Sequence, residues 1–322
     1  MREIVIKENE AGQRFDKFLG KYLKEASMGF LFKMLRKKNI TLNGKKATGK
    51  EKLVKGDTVK LFLSEDTIEK FEGTISVQYT DVKLDIIYED ENILLINKPA
   101  GMLSQKASPK DVSVVEHLIS YLLRSGNLTK EALKTFKPSV CNRLDRNTSG
   151  IIAAGKSLSG LQELSRMFKD RSMEKYYLCI VNGVVDKPQV IKGYLYKNEK
   201  NNKVTILQEE KEGSSYIETH YRPVKTNGNI TLLEVLLVTG KTHQIRAHLA
   251  SNGHALIGDT KYGSVKVNDI FKKKYSLKNH LLHSYRIVFP ELTGSLKNLS
   301  LKEFKADLPK MFKDIALKEG VL

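Results

Sequence analysis

The sequence predicts an α+β protein in two unequal parts. A small basic α+β domain is expected at residues 1–65, a linker at 66–82, and a large domain at 83–322 built on a mixed, mainly antiparallel sheet. Three observations carry this. A chain of 322 residues suits roughly two domains. The first 65 residues hold two short amphipathic helices and a hairpin with their own turn signals. Beyond residue 83, strand-like segments outnumber helical ones at irregular spacing, which disfavours regular βαβ units.

In the first part, Ile4-Val5-Ile6 reads as a strand. From Arg14 to Leu23 the apolar residues Phe15, Phe18, Leu19, Tyr22 and Leu23 recur at a helical period. A second helix, from about Met28 to Lys38, carries Phe30, Leu31, Met34 and Leu35 on one stripe. Asn43-Gly44 marks a hairpin turn after Ile40-Thr41-Leu42, and Val59 to Leu63 alternates as a strand. Residues 64 to 82 mix charges without a strong period, hence the expected linker. In the second part strands are expected at Leu84–Tyr88, Ile93–Ile96, Ile151–Ala154, Tyr176–Val181, Val190–Leu195, Tyr216–Val224, Ile230–Val238 and His283–Phe289. Helices are expected at Val114–Arg124, Ser157–Phe168 with Ser157 as N-cap, and Thr242–Ser251.

Charge narrows the partner. Lys and Arg number 55 against 37 Asp and Glu, a formal charge of +18. A polyanion is favoured, since each neutralised phosphate releases condensed counterions. The surplus is concentrated. Between Leu31 and Lys60 stand ten Lys or Arg residues, among them Lys33, Arg36, Lys37 and Lys45, opposed only by Glu51 and Asp57. Two cysteines, Cys141 and Cys179, make neither a disulfide framework nor a zinc pattern. No apolar run approaches the roughly 18 residues of a membrane span, and the charged N-terminus does not read as a secretory signal. A cytoplasmic protein with no membrane partner is expected. No zinc finger or helix-turn-helix pattern points to DNA.

The chemistry centres on Asn142-Arg143-Leu144-Asp145-Arg146-Asn147-Thr148-Ser149-Gly150. Two arginines flank one aspartate, small hydroxyls follow, and a glycine opens an apolar strand. Neighbouring guanidinium groups favour the ionised carboxylate, which suits a nucleophile or general base.

This segment resembles the central motif of the large-subunit ribosomal RNA pseudouridine synthase family (the RluA type), read His-Arg-Leu-Asp-x-x-Thr-Ser-Gly. Arg143, Leu144, Asp145, Thr148, Ser149 and Gly150 match, and Asn142 stands where His is commonest. Asn97-Lys98-Pro99-Ala100-Gly101, Lys175-Tyr176-Tyr177 to Gly183, Gly240-Lys241-Thr242-His243-Gln244-Ile245-Arg246-Ala247-His248-Leu249, the run through Gly258-Asp259 to Tyr262-Gly263, and Leu281 to Arg286 resemble further blocks in order. Residues 1–65 resemble the alpha-L RNA-binding domain, first known from a small-subunit ribosomal protein, through Arg14 to Leu19, the basic second helix and Ile40 to Lys45.

The resemblance implies a pseudouridine synthase fold and the isomerisation of uridine in structured RNA, most of all 23S ribosomal RNA. Transfer RNA is the alternative target. Asp145 would attack the nucleoside, Tyr177 would stack on the flipped uracil, and Arg246 would pair with Asp145. Ile245 would pack against the base and Arg143 would fill the space the nucleotide leaves. Arg146, Lys98, Arg14, Lys33, Arg36, Lys37 and Lys45 complete the RNA-facing set. Attack on uracil C6, attack on ribose C1′ and proton abstraction from the sugar all remain open.

The reaction needs no redox step and no external water, so neither a metal nor an organic cofactor is expected. Extruding the base costs a few kcal/mol, which an aromatic face and a filler side chain offset. His243 and His248 are five residues apart, off the spacing of a helical metal pair. They are expected to be hydrogen-bonded. Tyr176 and Tyr177 must face opposite sides of a strand. A monomer is expected. A non-catalytic RNA chaperone on the same scaffold is the competing reading.

Overall fold

The computed structural model describes residues 1–198 and 203–322. The N-terminal unit comprises β1 (Arg2–Val5), α1 (Phe15–Tyr22), α2 (Met28–Arg36), β2 (Ile40–Leu42), β3 (Lys45–Lys46), β4 (Thr58–Leu61) and α3 (Glu65–Glu72). Phe15, Phe18, Leu19, Tyr22 and Leu23 are all buried, as the helical period of α1 requires. The β2–β3 turn is Asn43-Gly44, both at positive φ (51° and 71°), the pair whose twist matches a two-residue hairpin. The Asn43 side chain accepts from Thr58 N and donates to Asp57.

The expected linker is only partly a linker. Ser64 caps α3 by accepting from Thr67 N, and Ile68 is fully buried in the N-terminal core. Two apolar residues, Ile68 and Phe71, in an otherwise charged stretch leave no readable period. Residues after Gly73 then run along α4 (Val114–Arg124), where Thr80 N donates to Ser120 and Thr80 pairs with His117 at 2.8 Å. The two units touch: Thr135 donates to Glu10 at 2.6 Å, and Lys134 pairs with Glu72 at 3.1 Å.

The large sheet is built from β5 (Ile86–Glu89), β6 (Ile93–Lys98), β7 (Ser139–Val140), β8 (Ser149–Gly155), β9 (Glu174–Asn182), β10 (Gln189–Asn198), β11 (Lys203–Leu207), β12 (Ser214–Thr226), β13 (Ile230–Leu237), β14 (Leu282–Val288) and β15 (Glu303–Lys305). The main order is β11-β10-β12-β13-β9-β14-β8-β6-β5. β14 runs parallel to β8, and the other described pairs are antiparallel. The expected strands all appear, within a few residues at their ends. The helices are α4, α5 (Leu158–Asp170), α6 (Gln244–Ser251), α7 (Val265–Tyr275) and α8 (Lys310–Lys318). Ser157 caps α5 by accepting from Gly160 N.

β8 is buried along its whole length because both its faces are covered. Ile152 and Ala154 join α4 in one core, while Ile151 and Ala153 join Leu164 and Met167 of α5 in another. Gly150 at its start has φ +110°, and a Cβ there would lie 2.1 Å from Ser284 O. Only glycine lets β14 approach so closely. The register then sets Gly150 beside Ser284, and Ser284 beside Tyr177. Among the described residues no helix is long and apolar enough to cross a membrane.

Candidate active site

Asp145 lies in a turn just before β8, where Thr148 N donates to Asp145 O at 3.0 Å. The neighbours of that turn are tied down. Ser104 donates to Leu144 O at 2.7 Å and accepts from Leu144 N. Gly101 N donates to Arg146 O at 2.8 Å. Thr148 pairs with His280 and Ser149 with His283, each at 2.9 Å. The Asn142 amide donates to Ile151 O and accepts from Ala153 N, so it extends the short β7 ladder by one peptide-like pair.

Lys98 corrects an expectation. It is fully buried and not on an RNA-facing surface. Its ammonium donates to Pro99 O, Met102 O and Arg146 O at 2.9 to 3.0 Å, joining the β6 loop to the Asp145 loop. Burial pushes its pKa down to about 7, against the attraction of Asp145. Only the ammonium form has three N–H donors for these three carbonyls.

Arg246, on α6, donates to Asp145 Oδ2 at 2.8 Å. Its Nε and Nη2 donate to the two oxygens of Asp259 at 2.7 and 3.0 Å. Asp259 is fully buried and also accepts from the backbone N–H groups of Lys261 and Tyr262. Burial works against the Arg246 charge, but hydrogen bonds and attraction from Asp259 and then Asp145 outweigh it and hold its pKa above the ordinary value. Burial likewise opposes the Asp259 charge, and Arg246 reverses the balance. The guanidinium carbon also sits 5.3 Å from the Tyr262 ring centroid.

α6 starts later than expected. His243 is its N-cap in a left-handed conformation (φ 55°, ψ 15°), so it shares no helical face with Arg246 by spacing. The turn nonetheless carries His243 Nε2 to 3.8 Å from Asp145, while Nδ1 pairs with Tyr262 at 2.9 Å. Burial lowers the His243 pKa. His248 is buried against Thr219 at 3.0 Å. Both histidines are thus hydrogen-bonded.

A cavity of about 770 Å³ opens over Asp145, lined by Tyr177, Leu237, Ile245, Arg246 and Leu282 among others. Tyr177 and Ile245 are buried in its wall at 6% and 5% exposure, and Asp145 keeps 26% of its side chain accessible. Burial first, then the Asp145 charge, raise the Tyr177 pKa to about 12, against a hydrogen bond with Ser284. Tyr176 faces away, with Arg286 stacked 3.7 Å from its ring centroid. Arg143 also lines the cavity, and Arg143 and Arg146 are exposed. Lys33, Arg36, Lys37 and Lys45 are exposed on the N-terminal unit. Arg14 is half exposed and paired with Asp16 at 2.6 Å. Sequence reasoning misses two residues here. Asp259 falls within a motif block that gives it no role, and nothing in the sequence marks Lys98 as an anchor.

The RNA pseudouridylate synthase family model matches residues 92–251, a span that includes Asp145, Tyr177 and Arg246. A protein described as an uncharacterized RNA pseudouridine synthase from Mycoplasma genitalium is 31% identical over 320 residues, covering 96% of each chain. The ribosomal large subunit pseudouridine synthase C of Vibrio cholerae is 30% identical over 298 residues, covering 89% of this chain and 88% of that protein. Human RNA pseudouridylate synthase domain containing 4 shares the fold, with a TM-score of 0.59 at 19% identity over 73% of this chain and 92% of that structure. Two relatives at 30% identity or above are aligned along most of both chains, and the chain belongs to the RNA pseudouridine synthase family.

Proposed function

We propose that this enzyme isomerises uridine to pseudouridine in large-subunit ribosomal RNA, with Asp145 as the catalytic carboxylate. The N1–C1′ bond of the uridine breaks, the uracil turns, C5 bonds to C1′, the C5 proton leaves and N1 takes up a proton. What supports Asp145 is its position: an accessible carboxylate at the floor of a cavity, held by Arg246 at 2.8 Å from a base of buried Asp259. A guanidinium fixed at both ends orients the carboxylate.

Tyr177 offers its ring to the extruded uracil and Ile245 closes the other wall. Arg143 enters the RNA at the mouth, where a planar guanidinium can stack and hydrogen-bond in the gap left by the nucleotide. Residues 1–65 form the RNA-binding unit, through Lys33, Arg36, Lys37 and Lys45. The chain supplies Asp145, Arg246 and Tyr177 itself, so a monomer suffices. Ribosomal RNA as substrate implies the cytoplasm, and transfer RNA is the alternative target.

The test is tritium release from RNA labelled at uridine C5. Wild-type protein should release tritium from large-subunit ribosomal RNA, and Asp145→Ala should not. Equal background from both proteins, on ribosomal and transfer RNA alike, would sink the reading.

A further inference from the structure

Lys175 stands on β9 two residues before Tyr177, so the two side chains share a face, and both line the cavity over Asp145. Lys175 is 8% exposed. Among the described residues its ammonium has no hydrogen-bond or ion-pair partner. That is unusual, because a largely buried ammonium gives up hydration at a cost, and here only the open cavity is left to satisfy it. The other buried lysine of this region, Lys98, meets the cost with three carbonyl oxygens. Nor does a carboxylate stand by. Burial, and then the like charge of Arg171, lower the Lys175 pKa, with no acidic group acting against them. Asp145 is engaged by Arg246, and Glu174 accepts from Tyr176 on the other face of β9.

The cavity is also lined by Arg171 and Arg143, both exposed. Lys175, Arg171 and Arg143 thus line a space next to the site proposed for the uracil, and Lys175, the most buried of the three, has no side-chain partner in the protein. We infer that Lys175 binds a backbone phosphate flanking the flipped nucleotide, with Arg171 and Arg143 guiding the strand on either side. This rests on the reading of the cavity as a nucleotide site. The RNA diester is the anion the substrate itself brings, and it gives the ammonium the acceptors the protein withholds. Lys175 acts as a positioning residue: it locks the ribose end of the nucleotide while Tyr177 faces the base.

The experiment compares two RNAs by direct binding and by turnover. One is all-phosphate; the other carries a single neutral methylphosphonate 5′ or 3′ of the modified uridine. Lys175→Met should weaken binding of the all-phosphate RNA about ten- to a hundredfold, the effect of removing one hydrogen bond to a charged group. The slope of log affinity against log salt should fall by about one. KM should rise by more than kcat falls. The methylphosphonate at one flank should weaken wild-type protein comparably and weaken Lys175→Met no further, while Lys175→Arg should regain phosphate sensitivity. Lys175→Gln with a checked melting curve serves if the Met variant does not fold. Additive losses at both flanks, or an unchanged salt slope, would overturn the assignment. Binding is read apart from turnover. Phosphate sensitivity at Lys175 without tritium release would therefore refute the isomerase reading and leave the phosphate site standing.

Discussion

Asp259 grips Arg246 from behind with both carboxylate oxygens, at 2.7 and 3.0 Å, leaving one guanidinium nitrogen for Asp145. The aim of Arg246 thus depends on a residue that cannot reach the cavity, since Asp259 is fully buried. Asp259→Ala should lower kcat about a hundredfold through misplacement of the pair, with little change in RNA affinity. Losing one partner of a buried ion pair should also cost on the order of 3 kcal/mol of stability. Asp259→Asn keeps the shape without the charge and should fall between the wild type and Asp259→Ala. Single-turnover rates beside equilibrium binding check this, and a full-speed Asp259→Ala enzyme would refute the relay.

Much of this is legible in the sequence. Alternation and apolar runs mark the strands, and the motif blocks bring Asp145, Tyr177, Ile245 and Arg246 to one cavity. The failures have physical causes. Helices α7 and α8 bury only narrow apolar strips, Phe271 in one and Phe312, Ile315 and Ala316 in the other, within lysine-rich segments. Lys98 looks like a surface cation because a sequence does not show three carbonyls converging on one ammonium. Asp259 lies 13 residues beyond Arg246, across a turn that no helical spacing describes.

The burial of Lys98 separates two kinds of lysine. Lys98→Met removes the donor shared by the carbonyls of Pro99, Met102 and Arg146, of which Arg146 O keeps the Gly101 N–H, and each unmet buried acceptor costs about 1–3 kcal/mol. It should lower the melting temperature and kcat while the salt dependence of RNA binding stays as in wild type. Replacing Lys33, Arg36 and Lys37 with Ala should do the reverse, the salt slope shrinking by about one for each phosphate no longer neutralised. Titrations of RNA binding at several salt concentrations distinguish the two, and a reduced slope in Lys98→Met would return Lys98 to the RNA-facing set.

Three buried histidines set an acid limit on stability. Burial is the leading cause in His248, His280 and His283, and each is pushed down to about 4. In the unfolded chain they take protons near a pH of about 6.5. Between about pH 6.5 and 4 the unfolded state therefore binds more protons, so stability falls as pH falls through that window. Each contributes about 1.4 kcal/mol per unit of difference. Thermal melts should show a marked loss from about pH 7 to about pH 5. His280→Asn, which keeps a partner for Thr148, should flatten the decline. A melting temperature constant over that range would contradict the assignment.

Asn142, where the related motif has His, ties the strand before Asp145 to β8. Its amide supplies one donor and one acceptor to β8, at 3.1 Å to Ile151 O and 2.8 Å from Ala153 N. Those backbone groups belong to fully buried residues, so Asn142→Ala leaves a donor and an acceptor unmet at about 1–3 kcal/mol each. Asp145 lies a few residues on, in the turn that this pairing holds against the sheet. Asn142→Ala should therefore lower both the melting temperature and kcat while RNA affinity stays within about twofold, because no RNA-touching group is removed. Wild-type protein, with the pairing intact, should turn over. An Asn142→Ala variant that keeps its stability but binds RNA poorly would move Asn142 from the scaffold to the RNA interface.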